Sequence, residues 1–90
     1  MENPQQEKTS EKLEASFSTL VLSIGSSAAM ALGLAPNPVS GEVESDRKLA
    51  RFNIDLLIML QEKTMNNLNP DEKRFIDSVI SDLQMKFIQR

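Results

Sequence analysis

No Cys, His, Trp or Tyr occurs anywhere in the 90 residues of this chain. Each absence removes a class of chemistry. Without Cys no disulfide can staple the fold, and without Cys or His the usual ligands of zinc, haem and iron–sulfur clusters are missing. Without Trp and Tyr, most aromatic platforms for stacking bases and most anchors at a membrane interface are gone. Positive charge is also in short supply: ten Lys and Arg stand against thirteen Asp and Glu, a formal net charge of −3, with no basic cluster. Nucleic acid is therefore not an expected partner. There is no Gly-rich phosphate loop and no pair of carboxylates converging on a nameable pocket, so the chain reads as non-enzymatic, with no cofactor and no catalytic or metal-binding residue. Cysteine-free composition fits a reducing compartment, and the localisation expected is cytoplasmic.

Charge of either sign is missing over one long stretch. From Ala15 to Gly41 no residue is ionisable, in a chain where 26% of residues are charged. Its core is "FSTLVLSIGSSAAMALGL", residues 17–34. A bilayer would accept that length, since a span needs roughly 17–25 residues. The composition argues against it, because seven of these eighteen residues are Ser, Thr or Gly and the flanks are Glu14 and Glu42. Ala29-Met30-Ala31 has the small-x-small form of a signal-peptidase site, but an acidic segment precedes it where a secretory signal is basic. A protein interior remains, and there Ser and Thr tolerate burial by returning their hydroxyls to the carbonyl four residues back.

The expected architecture is all-α, with a polar tail over 1–12 and one helical domain over 13–90. Three helices are expected, at about 13–34, 46–66 and 70–88. Pro36, Pro38 and Gly41 stop the first, and the long Pro-containing loop means the first two helices need not be simple antiparallel neighbours. Ser45 is placed as N-cap of the second helix, and Asn66 or Asn67 as its left-handed terminator. "NPDE" opens the third with Asn69 as cap, Pro70 at the first position and Glu72 closing a capping box. Helices two and three then form a hairpin, with Phe75, Ile76, Val79, Ile80, Leu83 and Phe87 as one apolar stripe.

Around the first helix, Phe17, Leu20, Val21, Ile24, Ala28, Ala31 and Leu32 make one large face. Gly25, Ala29 and Gly33 make a second, flat strip beside Leu22. The second helix has a narrow charged strip of Lys48, Arg51, Asp55 and Glu62. Leu49, Phe52, Leu56, Met59 and Leu60 lie to one side of it, and Ala50, Ile54, Leu57, Ile58 and Met65 to the other. Arcs this wide exceed what one neighbouring helix covers. The surplus points to a second copy of the chain in a symmetric homodimer, with Leu22, Gly25, Ala29, Gly33, Ile54 and Ile58 as the self-association residues. Asn53 reads as a buried, satisfied amide, Asp55 as half of a solvated pair with Arg51, and Met59, Met65 and Met85 as core or rim filler.

Three stretches taken in order, "FSTLVLSIGSSAAMALGL", "LARFNIDLLIMLQEKTMNNL" and "NPDEKRFIDSVISDLQMKF", resemble a small bacterial family catalogued as domain of unknown function eighteen-forty-four. The resemblance covers about residues 15 to 88. Its most specific piece is Ile54-Asp55 followed by Leu60, Lys63-Thr64 and Asn67-Leu68. The family pattern carries Gly where this chain has Asn66, a mild departure because Asn is the next-best left-handed residue. The resemblance implies a helical, cytoplasmic protein and supplies no activity, substrate or catalytic residue. The reading of the residues is thus a small helical interaction protein that self-associates through helices one and two. Its rivals are a membrane-associated subunit anchored by residues 17–34, and an adaptor for an unidentified protein partner.

Overall fold

A computed structural model describes residues 14–89. Among them are three α-helices, α1 (Phe17–Ala31), α2 (Arg47–Lys63) and α3 (Pro70–Gln89), and no strand. The tail expected over 1–12 lies outside the described residues. Every helix opens on a polar side chain that accepts a hydrogen bond from the backbone three residues on, satisfying a donor with no partner inside the helix. Ser16 Oγ accepts from Thr19 N at 3.1 Å, and Asp46 Oδ1 from Leu49 N at 3.1 Å. Asn69 Oδ1 accepts from Glu72 N at 2.8 Å while Glu72 Oε1 accepts from Asn69 N at 3.0 Å, the reciprocal box read from "NPDE". Two starts differ from expectation. α1 begins at Phe17 and not near Leu13, because Ser16 supplies the cap, and α2 is capped by Asp46 and not by Ser45.

Both α1 and α2 also end earlier than their apolar pattern suggests. α1 stops at Ala31 because Gly33 turns left-handed at φ 78°. Gly33 N then donates to Met30 O at 3.0 Å and Leu34 N to Ala29 O at 2.9 Å, so the carbonyls left open at the helix end are occupied. α2 stops at Lys63, where the Thr64 hydroxyl folds back onto Leu60 O at 2.7 Å. Asn66 follows with φ 72° in a turn closed by Asn67 N to Thr64 O at 2.9 Å. It is thus the left-handed residue, but of the connecting turn and not of the helix end itself.

All three helix pairs touch, and α1 packs on α2 more extensively than either packs on α3. The long loop therefore does not separate α1 from α2. Asp46 N donates to Ala31 O at 2.7 Å, which ties the end of α1 to the start of α2. A Cβ on Gly33 would lie 3.5 Å from Glu44 O, so the loop returns directly over the helix end. The loop is closed on itself by Asn37, whose Oδ1 accepts from Val39 N at 2.8 Å and whose backbone N donates to Glu42 O at 2.8 Å. The last turn of α3 arrives at the same corner. Arg47 Nη1 donates to Phe87 O at 3.0 Å, and its guanidinium stacks 3.9 Å from the centroid of the Phe87 ring. A cation suits a helix C-terminus, which is where Arg47 spends its charge although it sits in the first turn of α2.

The core lies on the axis between the helices. Val21, Ala28, Ala31 and Leu32 meet Ala50, Ile54 and Leu57 of α2 and Ile76, Ile80 and Leu83 of α3. Phe75, Val79 and Phe87 pack around it half-buried, so the stripe expected on α3 is the stripe observed. Three of the ten buried apolar residues are Ala, which lets α1 and α2 approach closely but leaves little to bury. Each larger member contributes about 1.5–3 kcal/mol.

Candidate functional site

The second helix decides where a functional surface can lie, because it is apolar on two sides and only one of them faces inward. Ala50, Ile54 and Leu57 are the inward side, 0%, 2% and 0% exposed. Leu49, Phe52 and Met59 stand outward at 48%, 57% and 43% exposure, with Leu56 half-buried among them. These four follow at spacings of three, four and three residues, so they form one line along the helix. An open groove of about 740 Å³ begins beside this line, where Ser27 and Met30 of α1 meet Leu49, Phe52 and Asn53. On α1, Leu20 is 47% exposed and Ile24 half-buried, with Ser27 next along that side. The outcome is an uncharged α1 flank beside an apolar α2 line.

The six residues expected to mediate self-association do not share a surface. Gly25 is buried against α3, and a Cβ there would lie 3.1 Å from Val79 Cγ1. Ile54 is core. Gly33 is the left-handed terminator of α1 and so drops out of the helical strip. Leu22 and Ala29 line a small groove between α1 and α3 with Val79, and Ile58 lines another between α2 and α3 with Phe87 and Ile88. The small-residue strip seats a helix of the same chain, because Gly25 has no side chain to hold Val79 away. Which apolar side of α2 turns inward is a three-helix decision: Ala50 lies in one cluster with Ala28, and this small side admits α1. From sequence, the exposed line looks as much like core as the other side, so its outward placement was not legible there.

The polar residues in apolar company are accounted for within the chain. Asn53 is 7% exposed and its Nδ2 donates to Leu49 O at 3.0 Å, one turn back. No buried side-chain polar atom among the described residues lacks a partner. Arg51 Nε lies 3.2 Å from Asp55 Oδ1, and both side chains are exposed. Lys73–Asp77, Arg74–Asp71 and Lys86–Asp82 are likewise pairs along one helix, each worth a few tenths of a kcal/mol. Asp77 is held below its ordinary value of 3.8, first by the hydrogen bond from Lys73 and then by one from Gln61, with burial opposing. That perturbation belongs to a contact between α2 and α3 and not to a pocket. Met59, Met65 and Met85 are all exposed, so none is core filler. No cluster of three or more Asp or Glu able to hold a metal ion exists among the described residues.

α1 has fifteen residues, about 22 Å of helix at 1.5 Å per residue, against a hydrocarbon layer of roughly 30 Å. Among the described residues no helix is long and apolar enough to cross a membrane, which counts against the rival reading of residues 17–34 as a membrane-spanning anchor.

Comparison with known proteins returns no matching curated protein and no matching solved structure. A family model does match, over residues 14–89, which takes in all three helices and the loops between them. The uncharged α1, the corner at Asp46 and the α2–α3 hairpin all fall inside that match, and the chain belongs to the family described as Domain of unknown function (DUF1844).

Proposed function

We propose that this chain is a non-enzymatic assembly module that pairs with a second copy of itself across the α1–α2 face, in the cytoplasm. One observation carries the reading: along α2 the line Leu49, Phe52, Leu56 and Met59 faces outward, with Leu49, Phe52 and Met59 exposed and Leu56 half-buried among the described residues. Among the described residues, eleven large apolar side chains are exposed, while only seven larger than Ala are buried. A chain of this size has a marginal core when alone, and subunit association is a common remedy. A symmetric pair is the commonest closed arrangement, and it would cover the line on both copies at once.

Light scattering on the purified chain at micromolar concentration should give about twice the 10.1 kDa chain mass. Phe52→Glu, which places a charge in the middle of the line without touching the core, should return the mass of a single chain with helical circular dichroism retained. A parent protein that is folded and monomeric at that concentration contradicts the proposal.

A further inference from the structure

We infer that the two copies pair with α2 antiparallel to α2, Lys48 of one copy lying against Glu62 of the other. This rests on the self-association reading and adds orientation and register to it. The 3-4-3 spacing of Leu49, Phe52, Leu56 and Met59 is the narrow seam of a two-helix contact, with Leu49 and Leu56 in one row and Phe52 and Met59 in the other.

The two edges of that seam differ. One carries Asn53, 7% exposed, and the half-buried Leu60, and so turns inward toward the rest of its own chain. The other carries Lys48, Asp55 and Glu62, seven residues apart. In an antiparallel pair like edges face one another, whereas in a parallel pair each edge faces the opposite one. Parallel pairing would set this charged edge against the uncharged flank of α1 in the other copy and leave its ions without partners. Antiparallel pairing turns the edge end for end, so its positive start meets its negative finish.

Lys48 and Glu62 are both exposed, and among the described residues neither belongs to an ion pair of its own chain. Asp55 falls near the two-fold axis, opposite its own copy, and its charge is already answered by Arg51 at 3.2 Å. The same register places Leu49 over Met59 and Phe52 over Leu56 of the opposing helix, so every layer of the seam has a large partner. Each dimer holds two copies of each contact.

Charge reversal tests the register. Lys48→Glu and Glu62→Lys should each weaken dimerisation on the order of tenfold at low salt, since each breaks two pairs per dimer and replaces them with repulsion. The double variant should recover to within about threefold of the parent, because the pairs re-form with signs exchanged. The cysteine-free background allows a second readout. Leu49→Cys and Met59→Cys proteins, mixed and oxidised, should give a disulfide-linked dimer that neither forms alone. Cross-linking of Leu49→Cys with itself, or a double charge variant no better than the singles, overturns the antiparallel register while a dimeric parent leaves self-association standing. A monomeric parent overturns both.

Discussion

Asn66 holds φ 72° with a side chain attached, in the turn that joins α2 to α3. A left-handed residue of L chirality costs about 1–2 kcal/mol, and Asn carries less of that than Ala because its amide can bond locally. Glycine carries none, but it surrenders more freedom on folding. Asn66→Ala should therefore lower stability by about 1 kcal/mol, and Asn66→Gly should change it by less than about 0.5 kcal/mol. Urea midpoints on the two variants check the ordering, and a loss on Asn66→Gly larger than on Asn66→Ala would refute it. A left-handed Asn at 66 or 67 was legible in the sequence, though as the end of α2 and not as part of the turn, and so was the Asn69–Glu72 box, because both are local: a few side chains meet their own backbone. Asp46 was read one residue off as the cap of α2. Ser45 and Asp46 are both good caps in sequence, and what selects Asp46 is its backbone N–H bonded to Ala31 O, which no local pattern contains.

Between elements, the α2–α3 hairpin is fastened near its turn by a polar contact. Gln61 Nε2 donates to Asp77 Oδ1, and Lys73 Nζ donates to Asp77 Oδ2 at 3.0 Å. These donors favour the ionised carboxylate, so the folded chain binds the Asp77 proton less readily than the unfolded chain does. Where the unfolded state binds more protons, stability rises with pH. The contribution is thus present in full above the ordinary value of 3.8 and is lost as pH falls through the lower folded value. Asp77→Asn should be less stable than the parent near neutral pH, and the gap should narrow on acidification to about pH 2. Denaturant midpoints at the two pH values measure it; a gap that widens with acid would mean Asp77 is held by something other than these donors. The hairpin itself was legible from the helical period and the caps. The inward side of α2 was not, since Ala50–Ile54–Leu57 and Leu49–Phe52–Leu56 satisfy the same period equally well. Small residues settle it: Ala28 and Ala50 share the core cluster, and Gly25 admits Val79. Those approaches join segments far apart in the chain, where the sequence pattern has no reach.

At the scale of the molecule, the question raised by the uncharged α1 receives a partial answer from within the chain. α2 and α3 cover two of its sides through Val21, Gly25 and Ala28, while Leu20, Leu22, Ser23 and Ser26 remain outside. The sequence thus correctly indicated more apolar surface than three helices enclose, but the six residues named for it were drawn from the core, a helix terminus and two separate grooves. An excess of surface is a property of composition and length, whereas its address depends on how three helices choose faces. If a second copy covers the α2 line, folding and association are linked, and stability depends on protein concentration. Tenfold dilution should then lower Tm by about 3–5 °C, because each dimer loses roughly 1.4 kcal/mol shared between two chains of this size. Phe52→Glu should unfold at a lower temperature than the parent and at the same temperature whatever the concentration, since its exposed position leaves the core untouched. A calorimetric series over two decades of concentration on both proteins makes the comparison. A parent whose Tm ignores dilution while the chain remains folded would place the whole of its stability inside the single three-helix core.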